Sequence, residues 1–359
     1  MSIFQSVFQR WDWQLFGAAL TLVLVSSLAM VSASATLDPA LAFRHGMWIL
    51  LGLTAYGLVA LTNYHRWFHG AVLAYGLSLI ALALVLAVGT MRLGATRWMS
   101  LFGLSIQPGE IAKLATAWML AHYLSGKPQP LSLRSFLVAF ILMVVPAFFI
   151  FVQPDLGSAT VFVAIWLGVI WVAGVPRRFM AWGMGCGLAL LPLGWHFLKD
   201  YQRDRLLVFI NPHADPLGAG YTVIQSTIAI GSGTLWGRGW FAGTQNQLNF
   251  LPERHSDFIF SVIGEEWGFF GCCVLLAAFS VLLLRILRIA LESSEPQGRL
   301  LATGIFSWIG YQTFVNTGMV MGLLPVVGVP LPFLSYGGSS MLTLWVALGF
   351  LQSVHRTNR

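Results

Sequence analysis

The run Glu253-Arg254-His255-Ser256-Asp257 places two carboxylates, a guanidinium and an imidazole directly before a stretch apolar enough to cross a bilayer. Ionisable groups at the lip of a membrane are costly to desolvate, so they mark sites of function by default. Asp257 has two readings. It sits where loop becomes helix, and its carboxylate would cap the free backbone N–H groups there. Alternatively, Glu253 just before it and Glu265 and Glu266 two turns later crowd negative charge into a low-dielectric region. Crowding of that kind raises carboxylate pKa values toward the range a general base needs near neutral pH. The neighbours favour the base.

Other constellations sit at the same kind of boundary. In Gln107-Pro108-Gly109-Glu110-Ile111-Ala112-Lys113, Pro108 suits a helix start, with Glu110 in the first turn and Lys113 one turn on along the same face. The pair is either an internal ion pair that makes insertion tolerable or a cavity lining in which Lys113 meets an anionic ligand. Arg97, in Gly94-Ala95-Thr96-Arg97-Trp98, lies just upstream and could join it. Asp155, in Gln153-Pro154-Asp155-Leu156-Gly157, most simply caps the next helix. Arg203 and Arg205 are either solvated or, in the fork geometry that suits arginine, hold a lipid-linked phosphate. Gly231-Ser232-Gly233 and Gly237-Arg238-Gly239 follow no strand and lack a Gly-Lys-Ser/Thr ending. They are read as bends in the backbone and not as a phosphate loop.

These groups are carried by a greasy chain. It is 57% hydrophobic and 9% charged, against roughly 25% charged in soluble domains. The class is therefore all-α: a polytopic membrane protein forming a single domain over residues 1–359. Spans of about 20 apolar residues are expected near 14–34, 42–62, 69–89, 110–125, 135–152, 157–175, 179–197, 258–284, 301–321 and 341–355, ten in all. A long polar, Gly-rich loop, about 198–257, joins the seventh and eighth. The first apolar run has no convincing cleavage site and reads as a retained span. The net charge of +7 comes from basic residues that are mostly scattered singly, which fits the orientation rule for membrane loops better than a nucleic-acid stripe. Cys186, Cys272 and Cys273 lie in apolar runs and form neither a disulfide framework nor a metal motif.

Arg10, Arg66, Lys127, Arg134, Arg177, Arg178, Arg285, Arg288, Arg299, Arg356 and Arg359 fall at alternate helix ends, which makes those ends and both termini cytoplasmic. Most carboxylates, Asp257 included, then face outward, where there is no ATP. That argues against a nucleotide-driven mechanism. The Pro/Gly-broken, semi-apolar segment 324–340 lies on the same side. Irregular backbone at membrane depth is tolerated where protein buries it or it lines a cavity, so a re-entrant loop beside a substrate cavity is expected.

Several blocks together resemble the SEDS family (shape, elongation, division and sporulation), most of all its elongation members. They are Gln107-Pro108-x-Glu110-x-x-Lys113, Gln153-Pro154-Asp155-Leu156-Gly157, Asn211-Pro212-x-x-Asp215-Pro216-x-Gly218 and Gln225-Ser226-x-x-Ala229-Ile230-Gly231-Ser232-Gly233. Gly243-Thr244-Gln245, Phe250-Leu251-Pro252-Glu253-x-His255-x-Asp257-Phe258-Ile259-Phe260 and Pro330-x-Pro332-Phe333-x-Ser335-Tyr336-Gly337-Gly338-Ser339 complete the set. Gly109 and Ser256 depart from the Ser and Thr of many relatives and remove no charge.

The resemblance implies a peptidoglycan glycosyltransferase that polymerises lipid II at the outer face of the bacterial cytoplasmic membrane, with Asp257 as the catalytic carboxylate. It also implies a class B penicillin-binding protein as partner, beside other elongation-machinery membrane proteins and membrane lipids. Glu110, Lys113, Glu253, His255 and Ser335 fall in the matching blocks as candidates for the substrate cavity. A diphosphate leaving group needs no paired general acid, unlike ordinary glycoside hydrolysis. One base and some positive charge suffice, and Lys113, Arg97, Arg203 and Arg205 are the candidates for that charge. A divalent cation (Mg or Mn) could share the work, though no ligand spacing is diagnostic. The rival readings are a lipid II flippase, which would want polar groups leading to both faces, and a non-catalytic scaffold.

Overall fold

The computed structural model describes residues 10–92, 95–101, 104–198, 200–212, 215–218 and 220–358. Gly94 and Arg359 lie outside them. Ten long helices run back and forth: α1 (Trp13–Ser34), α2 (Ala40–Leu61), α4 (Ala71–Val88), α5 (Pro108–Ser125), α6 (Leu133–Val152), α7 (Leu156–Val172), α8 (Arg177–Phe197), α12 (Ile259–Glu292), α13 (Pro296–Val320) and α14 (Gly338–Thr357). Each falls on one of the ten apolar stretches expected as spans. By length and composition alone, α1, α6 and α12 are sufficient to cross a membrane.

The polarity of the bundle is inverted relative to a soluble protein. Phe43, Leu58 and Phe148 point outward with 60–70% of their surface exposed, while Ser26, Lys113, Gln312, Asn316 and Gln352 are buried. A chain solvated by lipid has no reason to hide its apolar side chains, and its polar ones must find partners inside. Close helix approach follows the same logic. A Cβ on Gly52 would meet Trp345 at 2.3 Å, and one on Gly349 would meet Val59 at 2.9 Å, so α2 lies tight along α14.

Local signals set the helix ends. Asp12, Ser132 and Asp155 cap α1, α6 and α7, each accepting a bond from a backbone N–H three residues on. Pro108 and Pro296 open α5 and α13. At the end of the bundle holding both described termini, Asp12 Oδ2 pairs with Arg285 at 2.5 Å, and Glu295 bonds the Tyr64 hydroxyl of the short α3 (Tyr64–Phe68).

Two connections at the opposite end are more ordered than loops. After α4, β1 (Thr90–Arg92), β2 (Ala95–Leu101) and β3 (Leu104–Ile106) form a three-stranded antiparallel sheet, with Thr90 opposite Trp98 and Met99 opposite Ile106. The stretch 198–257, expected as a polar loop, contains α9 (Asp200–Ile210), α10 (Tyr221–Ser232) and α11 (Thr244–Gln247). In α10, Val223, Ser226 and Ala229 recur at helical spacing and are buried. Gly233 ends that helix against α12, where a Cβ would meet the Gly264 carbonyl at 1.9 Å. Its absence of a side chain therefore serves contact; bending is served by Gly237 and Gly239, with φ of 82° and 102°.

Helix α12 is broken at Gly268 (φ 68°, ψ −162°). The carbonyls of Glu265 and Glu266 are taken instead by the N–H groups of Arg238 and Gly239, both at 3.0 Å. Residues 321–337 are non-helical yet deeply set, with Val329, Leu331, Phe333 and Leu334 all at most 1% exposed. This is the buried, cavity-lining irregular segment that its Pro/Gly pattern foretold.

Candidate active site

Asp257 does not cap α12. Helix α12 starts at Ile259 with Phe258 in the cap position and no side-chain bond there. The Asp257 carboxylate instead lines two cavities, of about 850 and about 300 Å³, and Glu253 is the other acidic residue that lines both. The larger reaches Arg97, Glu110, Asp155 and His255; the smaller reaches Asp204, Arg205 and Thr222.

Burial pushes the Asp257 carboxyl up to about 6. Glu253 and Asp155 add to the rise, and Arg205 and Arg97 oppose it. Crowded carboxylates thus contribute as the sequence suggested, but Glu265 and Glu266 are not the ones. Glu265 accepts the backbone N–H groups of Gln245 (2.9 Å) and Asn246 (3.1 Å), and Glu266 bonds Ser32 (2.5 Å) and the Asn246 amide (2.9 Å). Both secure α11 against α12, away from the cavities.

Glu253 adopts a left-handed φ of 49° and accepts the Ser256 hydroxyl at 3.0 Å. Strain of that kind clusters at functional sites. His255 Nε2 lies 4.0 Å from Glu253 Oε2. Burial holds the imidazole below its ordinary pKa, against the pull of Glu253. Arg254 points the other way: its guanidinium bonds the carbonyls of Ala33 (2.8 Å) and Asn246 and the Thr36 hydroxyl, which anchors the loop to the end of α1.

Cations approach from two sides. Arg97, on β2, bonds the Pro154 carbonyl (2.5 Å) and stands 3.5 Å from Asp155, so Asp155 both caps α7 and holds Arg97 at the larger cavity. Arg205 and Asp257 flank Gly328, where a Cβ would lie 3.8 Å from the guanidinium and 3.4 Å from the carboxylate. Three expected residues stand elsewhere. Arg203 turns to Asp200 (3.7 Å) and the His196 carbonyl at the end of α8 and lines neither cavity. Lys113 is fully buried, its Nζ 2.7 Å from Glu110, so Glu110 alone of that pair reaches the cavity. The Ser335 hydroxyl is occupied by backbone, accepting from Leu331 N and donating to the Ser256 carbonyl, both at 2.7 Å.

Two residues escaped the sequence reading. Arg44 on α2 lines the larger cavity, 3.8 Å from Asp38; its signal was a cation at the helix end where positive charge is disfavoured. Asn316, fully buried on α13, bonds the Asp257 backbone; its signal was an amide inside an apolar span.

Comparison with known proteins places this geometry. The chain is 41% identical over 340 residues to the peptidoglycan glycosyltransferase MrdB of Escherichia coli K12, covering 94% of this chain and 91% of that one. It is 37% identical over 345 residues to the stage V sporulation protein E of Bacillus subtilis, covering 94% and 93%. Among solved structures, a chain from work on the structural coordination of polymerization and crosslinking by a peptidoglycan synthase complex superposes with a TM-score of 0.84 at 37% identity, covering 97% of this chain and 98% of that one. The rod shape determining protein RodA of Thermus thermophilus superposes with a TM-score of 0.73 at 32% identity, covering 97% of each. The family model for the cell cycle proteins FtsW, RodA and SpoVE matches residues 10–359. With that match running almost from end to end, the chain belongs to the FtsW/RodA/SpoVE family, the SEDS proteins.

Proposed function

We propose that Asp257 is the general base of lipid II polymerisation, deprotonating the acceptor 4-hydroxyl as it attacks the anomeric carbon of the donor. The chain is a peptidoglycan glycosyltransferase, and the observation that carries the assignment is the position of Asp257. A polymerase must bring two lipid-linked molecules to one base, and Asp257 stands where two cavities meet. With a pKa near 6 it is ionised at neutral pH yet more basic than an ordinary aspartate.

The steps follow from the residues. The acceptor hydroxyl gives its proton to Asp257, the new C–O bond forms, and the bond to the diphosphate breaks with inversion, giving a β-linked strand from an α-linked donor. Charge grows on the departing diphosphate, and each cavity carries a cation that could meet it: Arg97 at the larger and Arg205 at the smaller. Lys113 is spent on Glu110 and supports the wall of the larger cavity from behind. A divalent cation (Mg or Mn) bound beside the diphosphate would share the growing charge, since hard cations at phosphate sites need only one or two carboxylates beside the phosphate oxygens.

The cavities open at the end of the bundle away from the short basic loops. The rule that places basic loops inside supports chemistry at the outer face of the cytoplasmic membrane, with both termini inside. A class B penicillin-binding protein is the partner that would crosslink the product, a reading supported by the likeness to a chain from a synthase complex. A flippase needs a polar path to both faces; here the acidic residues of both cavities lie at one end, which favours the enzyme.

The test is polymerisation of purified lipid II by the reconstituted protein with its penicillin-binding partner. Wild type should make glycan chains, and a folded Asp257→Asn protein should lose at least about 10²-fold in rate. Undiminished polymerisation by Asp257→Asn would refute the assignment.

A further inference from the structure

We infer that Asn316 and Ser335 are positioning residues for the catalytic carboxylate, acting through the backbone that carries it. The inference rests on Asp257 being the base. The first ladder bond of α12 runs from Ser261 N to the Phe258 carbonyl, so the carbonyls of His255, Ser256 and Asp257 precede the helix and must find partners elsewhere. Each finds one in sequence order. Tyr336 N donates to His255 O at 2.8 Å, the Ser335 hydroxyl to Ser256 O at 2.7 Å, and the Asn316 amide to Asp257 O at 2.9 Å.

Two of these donors are shared with segment 321–337. The same Asn316 amide nitrogen donates to Val329 O at 2.7 Å, and the same Ser335 oxygen accepts from Leu331 N at 2.7 Å. An amide has two protons and a hydroxyl one, and every one of them is used on a carbonyl. Asn316 and Ser335 are therefore fasteners between the peptide of Asp257 and the irregular segment that borders both cavities. Both are buried, at 0% and 6% exposure.

The clamp grips the main chain and leaves the carboxylate alone. That distinction matters for chemistry. Hydrogen bonds to a carboxylate stabilise its charged form and weaken it as a base, whereas bonds to the flanking carbonyls fix where the side chain points and act on its proton affinity only through the burial which that position sets. A base must hold its geometry to within a fraction of an ångström, and misplacement by about 1 Å costs on the order of 10²-fold.

The experiment is lipid II polymerisation by the full chain reconstituted with its penicillin-binding partner, comparing wild type, Ser335→Ala, Ser335→Thr, Asn316→Ala and Asp257→Asn. Each is measured for kcat, KM, thermal midpoint and the acid limb of the pH profile. Ser335→Ala and Asn316→Ala should lower kcat by about 10–100-fold per folded molecule with KM within about twofold. Their acid limb should move below its wild-type position, because a loosened carboxylate reaches water. Ser335→Thr, which keeps the hydroxyl, should restore most of the rate. If Asn316→Ala fails to fold, the Ser335 pair decides alone. Wild-type kcat and acid limb in folded Ser335→Ala would overturn the inference, as would equal loss in Ser335→Ala and Ser335→Thr. Asp257→Asn separates the two levels: full activity there sinks the base itself, whereas an inactive Asp257→Asn beside normal clamp variants sinks only the clamp.

Discussion

Arg97 Nη1 lies 3.5 Å from Asp155 Oδ2 and Arg97 Nη2 lies 2.5 Å from the Pro154 carbonyl, which ties strand β2 to the turn between α6 and α7. The guanidinium is thereby held at the rim of the larger cavity, with its Nε buried and unbonded. Arginine meets phosphate oxygens through a planar fork that lysine lacks. Replacing Arg97 with Ala should lower kcat/KM for lipid II polymerisation by about 10²-fold, and Arg97→Lys should recover only part of the loss. Steady-state kinetics on the reconstituted protein measure both.

Activity should depend on pH through Asp257. The base works deprotonated, and burial places its pKa near 6. The rate therefore rises with pH through that value, sits near half-maximum at about pH 6, and flattens above neutrality. An acid limb centred near pH 4, the value of an ordinary aspartate, would show that the carboxylate is not the buried one described here. The profile of kcat/KM reports the free enzyme and is the one to record.

The Glu110–Lys113 pair should behave as a buried ion pair in stability measurements. Both side chains are at most 1% exposed and 2.7 Å apart. Removing one partner strands the other charge, so Glu110→Gln or Lys113→Met alone should each cost about 3–5 kcal/mol. The double replacement should cost much less than the sum of the two. Thermal unfolding of the four proteins in detergent closes that cycle.

Gly157 should not tolerate alanine. A Cβ there would lie 2.3 Å from the Val327 carbonyl and 2.7 Å from a Val329 methyl. The contact is with backbone of the segment that Asn316 fastens to Asp257, so overpacking should displace it. Gly157→Ala should lose about 1–3 kcal/mol of stability, together with polymerisation out of proportion to the folded fraction. Thermal melts and rates on the same preparation distinguish the two effects.

The helices were legible because a bilayer leaves few alternatives: apolar runs of span length must satisfy their backbones internally. The hairpin was not, since three-residue strands such as Leu104–Ile106 carry too few alternations to stand out. Helix α10 was hidden by its polar residues, and the burial of Ser226 against Ser261 of α12, 2.9 Å away, is a tertiary fact. The fold brings Glu253 to the same two cavities as Asp257, which was legible as a candidate from its charged neighbours. The partners of those neighbours were not: Arg254 spends its charge on Ala33, more than two hundred residues away in the chain, and no local pattern reveals it. Asn316 shows the converse, a visible anomaly in an apolar helix whose purpose required the fold.

The break at Gly268 gives α12 a mechanical character. A continuous helix is a rod that carries displacement along its length, because bending it strains the ladder of hydrogen bonds. Here the missing rungs are replaced by bonds to the preceding connection on both sides of the break: Arg238 N and Gly239 N donate to the carbonyls of Glu265 and Glu266, and Phe269 N and Phe270 N donate to those of Thr234 and Leu235. The short arm, Ile259 to Trp267, is yoked to the connection before it and shoulders Asp257 at its tip. The long arm begins at Phe269 and Phe270 on that same connection, so the two arms are splinted at a fixed angle and residues 234–239 carry any displacement between them.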